Sequence, residues 1–103
     1  MTAPGYVIVQ MKISDPERYK EYMGLAPATI HAAGGDYLAR GGRSETLEGD
    51  WKPHRVAVLK FPSYEQAKAW AKGENYRQVR EKRLGATEYF DAVVVEGVAE
   101  MET

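Results

Sequence analysis

The stretch YVIVQMKI, residues 6–13, is dense in β-branched and apolar side chains with polar positions interleaved, and it predicts a first strand. SDPE stops that strand and starts a helix. Ser14 with Glu17 would form a capping box, or Asp15 would cap with Pro16 in the first helical position. Apolar residues then recur at helical spacing at Tyr19, Tyr22, Met23, Ala26, Ile30 and Ala33, so one face of the helix is expected to be buried. Pro27 lies inside this stripe and predicts a kink or a split, because proline lacks the backbone donor of the helical ladder. Gly34 and Gly35 stop the helix. DYLARGG carries a short second strand, RSETLEGDWKP (43–53) reads as a polar loop, and HRVAVLKF (54–61) as a third strand. PSYEQ opens another helix with Ser63 as cap and Gln66 three residues on, and with Ala67, Trp70 and Ala71 facing inward. Gly73 breaks it, and ENYRQVREKRLGA predicts a further helix. YFDAVVVEGV (89–98) is the last strand, and residues 99–103 are expected to fray.

Strand, helix, strand, strand, helix, strand is the split β-α-β plan of ferredoxin-like domains. The expected fold is therefore α+β, a single domain over residues 1–98 with one four-stranded antiparallel sheet and its helices on one face. Both faces of that sheet are apolar, however. Val7, Val9, Met11 and Ile13 form one set in the first strand, and Tyr6, Ile8, Gln10 and Lys12 the other. In the third strand Arg55, Ala57, Leu59 and Phe61 alternate with His54, Val56, Val58 and Lys60; in the last, Ala92 to Val95 are apolar on both sides. An antiparallel sheet with a solvated face alternates more cleanly. A second copy packed sheet against sheet about a two-fold axis would cover the face the helices leave, which predicts a homodimeric α/β barrel.

Composition changes the picture mainly by exclusion. The formal net charge is -1 over 103 residues, with acids and bases interspersed, which argues against a nucleic-acid binder. Cysteine is absent, so disulfides, thiolate catalysis and cysteine-bound metals are excluded. No cationic start followed by an apolar run and no membrane-length apolar segment is visible, so the expected compartment is the cytoplasm. His31 and His54 match no metal-ligand template, and Ser14, Ser44 and Ser63 form no nucleophile triad. Neither metal nor organic cofactor is expected.

In their order and spacing, DPERYKEY, HAAGGDYLARGG, LEGDW, RVAVLKFPSYEQAKAW, ENYRQVREKR and the closing VVVEG resemble the domain-of-unknown-function family 1330, within the dimeric α/β-barrel superfamily. The resemblance covers nearly the whole chain and implies a ferredoxin-like homodimer. Relatives in the wider superfamily include cofactor-free monooxygenases, isomerases, dehydratases and haem enzymes, whereas the narrower family has no agreed activity, so the chemistry stays open.

Several residues stand out as carriers of chemistry. GGDYLARGG has glycine pairs, but its first pair closes a helix and precedes a strand, the reverse of a phosphate loop. Arg40 within it shares a strand face with Asp36 and Leu38 on simple alternation. It would meet Asp36, Glu48 or the acid of a ligand. Arg83, at i+7 from Tyr76 on an apolar stripe, would either snorkel or reach a ligand beside the Tyr76 phenol. The resemblance adds weight to it, since the family pattern carries an arginine in NYRQVREKR. His31 near the end of the first helix suits the helix dipole, or it would move a proton beside Tyr37 and Arg40. Trp51 would pack across a dimer or line a pocket, with Glu48 pairing to Arg40 or Arg55. Three readings result. The first is an enzyme resembling the cofactor-independent monooxygenases and isomerases, acting on a small anionic or aromatic metabolite with His31, Arg40 and Arg83 as catalytic residues. Tyr37, Glu48, Trp51 and Tyr76 would then contact the ligand. The second is a non-catalytic dimeric ligand-binding module, and the third a structural dimer.

Overall fold

The structure is a computed structural model that describes residues 3–99. Its elements are β1 (Gly5–Ile13), α1 (Pro16–Ala32), β2 (Asp36–Arg40), β3 (Arg55–Phe61), α2 (Tyr64–Lys72), α3 (Glu74–Arg80) and β4 (Thr87–Glu96). A single 3₁₀ turn, Glu81–Arg83, tightens the end of α3. The four strands pair antiparallel in the order β2-β3-β1-β4, the ferredoxin-like arrangement expected from the order of elements. Residues 100–103, most of the tail expected to fray, lie outside the described residues.

Local chemistry sets the helix starts. The Asp15 carboxylate accepts from the Arg18 amide with Pro16 behind it, which decides between the two caps that the sequence left open. Ser63 Oγ accepts from the Gln66 amide at the start of α2. Tyr19, Tyr22, Ala26 and Ile30 form the buried stripe of α1. Of the kink or split expected at Pro27, the split does not occur, and α1 runs through it to Ala32. An internal proline removes the hydrogen bond that its amide would give to the carbonyl four residues back. That carbonyl belongs to Met23, and it accepts instead from Arg40 Nη2 at 3.0 Å.

The core lies between the helices and one sheet face, built on Val7, Val9 and Met11 of β1 and Ala57, Leu59 and Phe61 of β3. On the other face Leu38, Val93 and Val95 are exposed. The loop between β2 and β3 reaches this outer face through Trp51, whose indole donates to Gln10 Oε1 at 2.7 Å. No helix among the described residues is long and apolar enough to cross a membrane.

Candidate functional site

The largest departure from the sequence pattern lies in β2. Tyr37 pairs with Leu59 and Arg40 with Ala57, with a register shift between Tyr37 and Ala39. Leu59 and Ala57 both face the helices, so Tyr37 and Arg40 lie on that face together. Simple alternation predicts opposite sides; the bulge inserts one extra residue and corrects that expectation. The Arg40 guanidinium carbon stands 4.6 Å from the Tyr37 ring centroid. No ion pair to Asp36 or Glu48 forms among the described residues.

Between the sheet and the helices lies a cavity of about 270 Å³. Its floor is Val7, Val9 and Met11 of β1 with Ala57 and Leu59 of β3, and its walls carry Tyr19, Tyr22, Trp70, Tyr76 and Phe90. Four arginines border it: Arg40 from β2, Arg55 from β3, Arg80 from α3 and Arg83 from the 3₁₀ turn. The lining contains neither a carboxylate nor an imidazole. None of the four arginines forms an ion pair among the described residues, where all the ion pairs belong to Lys12, Lys20, Arg77 and Lys82. Such a cavity is electropositive and aromatic at once.

Arg83 is the most constrained of the four. Its guanidinium carbon lies 3.4 Å from the Phe90 ring centroid and 5.5 Å from that of Tyr22. Its Nε is buried and has no hydrogen-bond partner. Arg55 reaches the cavity because Gly41 makes room for it. A Cβ at that position would overlap the Arg55 guanidinium, and Gly41 holds a φ of +71°. The second glycine pair therefore does more than end a strand.

The tyrosines form a polar seam in the aromatic wall. Tyr22 Oη and Tyr76 Oη are 2.7 Å apart and buried, and the Tyr76 ring packs on Trp70 with centroids 4.2 Å apart. Burial, reinforced by Tyr76, holds the Tyr22 phenol well above its ordinary range. Burial likewise pushes the Tyr19 phenol up to about 12, and its hydroxyl donates to Met11 Sδ. The Tyr37 phenol is raised by burial and pulled back by Arg40.

Four of the seven residues singled out in the sequence meet here: Tyr37, Arg40, Tyr76 and Arg83. The other three do not. His31 is exposed near the end of α1 and is not among the lining residues. Glu48 is exposed in the β2–β3 loop, and Trp51, 55% exposed, lies on the opposite face of the sheet against Gln10. Arg55, Arg80 and Tyr22 line the cavity as well, although the sequence pattern does not single them out as ligand contacts. The signals were present: Arg55 alternates in phase with Ala57 and Leu59, and Arg80 follows Tyr76 by one helical turn.

Comparison with known proteins supports this architecture. A protein of unknown function from Rhodopseudomonas palustris superimposes with a TM-score of 0.74 at 16% identity, covering 97% of this chain and 86% of that one. A dimeric ferredoxin-like protein of unknown function from Jannaschia sp. CCS1 gives 0.64 at 14% identity, over 93% and 99% of the two chains. A dimeric ferredoxin-like protein of unknown function from Thermobifida fusca gives 0.60 at 10% identity, over 93% and 92%. At these identities the likeness is one of fold. No curated protein matches the chain in sequence. The family model of the domain of unknown function DUF1330 matches residues 4–98, and the chain belongs to that family.

Proposed function

We propose that this chain, as a homodimer, binds a small organic anion with an apolar or aromatic body in the cavity between sheet and helices. The observation that carries the reading is the set of four arginines around an aromatic cavity whose lining holds no acid. Arg55 and Arg83 are half-buried without a carboxylate partner, and an anionic ligand offsets the cost of that partial desolvation. Arg83 is the anchor, flanked by Arg55 and Arg80, with Trp70 and Tyr76 against the body of the ligand. Without a carboxylate or imidazole in the lining, the chemistry available is stabilisation of negative charge rather than proton abstraction by a conventional base. That favours a binding role, or an electrostatic catalyst, over a His31-based mechanism. The exposed Val93 and Val95 on the outer sheet face, together with the dimeric state of two structural neighbours, support assembly through that face.

Titration calorimetry with benzoate, hexanoate and benzylammonium tests the reading. Both anions are expected to bind and the amine is not. Equal affinity for benzoate and benzylammonium, or no binding of either anion, overturns it.

A further inference from the structure

The hydrogen-bond inventory of the cavity is lopsided. Tyr22 and Tyr76 make one hydrogen bond to each other, and either hydroxyl can be the donor. Two hydroxyls carry two protons, so one proton of the pair has no acceptor among the described residues. Arg83 Nε–H, close by over the Tyr22 ring, is a second buried donor without an acceptor. Buried donors are almost always satisfied, because leaving one unmade forfeits its hydration with nothing in return. Both unmet groups here are donors, and both belong to the lining of one cavity.

We infer that the Tyr22–Tyr76 hydroxyl pair and Arg83 together form an oxyanion site whose ligand is a phenolate or enolate, with its charge concentrated on one oxygen. This rests on the anion-binding reading above and narrows it. A carboxylate spreads its charge over two oxygens and is matched by the terminal nitrogens of a guanidinium alone. A single hydroxyl proton and a single Nε–H, with the Arg83 guanidinium carbon 5.5 Å from the Tyr22 ring centroid, instead suit one strongly basic oxygen. The internal Tyr–Tyr hydrogen bond polarises the outer hydroxyl and strengthens the bond it gives. Trp70, tilted against Tyr76, and Phe90, under Arg83, give an aromatic surround for a flat ligand body.

The test uses 4-nitrophenol, whose phenolate absorbs visible light, and 4-nitrobenzoate, which carries a carboxylate on the same ring. Bound nitrophenol is expected to ionise at least about tenfold more readily than free nitrophenol, read directly from absorbance against pH with the unaltered protein. Tyr22→Phe and Tyr76→Phe each leave one hydroxyl to donate unaided, so each is expected to weaken phenolate binding about three- to tenfold. The double variant is expected to weaken it about 10- to 100-fold. Nitrobenzoate binding is expected to stay within about threefold throughout, because it depends on the arginines. Unchanged ionisation of bound nitrophenol overturns the inference, and so does a double variant that keeps its phenolate affinity. If nitrobenzoate still binds in either case, the anion-binding reading stands; if neither probe binds, both fall.

Discussion

Arg40 donates to the very carbonyl that Pro27 deprives of its helical partner. The oxygen belongs to Met23, and the Nη2···O distance is 3.0 Å. A proline within a helix and an arginine on a neighbouring strand thus compensate each other. The arginine that seemed to require an acid meets a main-chain oxygen and the Tyr37 ring instead. Arg40→Ala is therefore expected to destabilise the fold by about 1.5–2 kcal/mol, the low end for a hydrogen bond from a charged group, because Arg40 is exposed. In a Pro27→Ala background the helix supplies its own donor, and the cost should shrink by about 0.5–1 kcal/mol. Urea unfolding of the four proteins in the cycle measures the coupling; additive effects would separate the two residues.

Arg83 is expected to behave in the opposite way. Its Nε is buried without a partner, so its replacement removes an unmet donor rather than a native bond. Arg83→Gln should leave the unfolding midpoint nearly unchanged and weaken benzoate binding about 10- to 100-fold. Arg83→Lys should not restore the affinity, because a compact ammonium cannot both stack on Phe90 and present a planar fork.

The buried phenols make stability fall at high pH. Tyr19 ionises near its ordinary value of 10.0 in the unfolded chain and at about 12 in the fold. Between these values the folded state holds the proton and the unfolded state releases it. The stabilisation is therefore complete below pH 10 and is lost as pH rises through about 12. Tyr22, raised in the same direction by burial, adds to the loss. Unfolding measured at pH 8, 10 and 11 should show a decline confined to the upper values. Tyr19→Phe, which has no proton to lose, should flatten part of it.

Gly35 tests the packing at the start of β2. A Cβ there would lie 2.6 Å from Phe61 Cε1 and 3.0 Å from Ile30 Cγ2, and both of those side chains are almost wholly buried. Neither neighbour can retreat without disturbing the core. Gly35→Ala should cost about 1–3 kcal/mol by overpacking, seen as a lower urea midpoint at unchanged slope. Gly42→Ala, with nothing within 4 Å of the added carbon, is the matched control and should be nearly silent.

The outer sheet face gives the assembly prediction. Val93 is 57% exposed and stands opposite Ile8 on β1. Val93→Glu places a charge in the middle of that face, where a sheet-on-sheet interface would have to desolvate it. Sedimentation velocity should show a dimer for the unaltered protein and a monomer with an unchanged far-ultraviolet spectrum for the variant. A variant that remains dimeric would move the interface elsewhere.

What could be read from the chain follows the range of the interactions involved. The cap at Ser63, the two alternative caps of α1, the stripe of α1 and the alternation of β1 and β3 each depend on residues within a few positions of one another. Two-sided apolarity of β4 likewise needs only a count. The failures share a different cause. The sequence around Pro27 allows a split helix because the remedy comes from Arg40, thirteen positions later and across a layer boundary. Simple alternation puts Tyr37 and Arg40 on opposite faces because a bulge leaves no mark in so short a strand. Nearness in sequence draws His31, Glu48 and Trp51 toward the site, but it says nothing of which side of a sheet a loop or helix end occupies.

The sequence by itself determined the order and kind of the elements, the cap at Ser63, and the apolar faces that fold against one another, because those features are written in local periodicity. Only the tertiary structure decided that four arginines from β2, β3, α3 and the turn after it surround one acid-free aromatic cavity, and that Tyr22 meets Tyr76 in its wall. Tyr22 and Tyr76 are 54 positions apart, and it is the packing of α1 against α3 over the sheet that brings their hydroxyls within hydrogen-bonding distance.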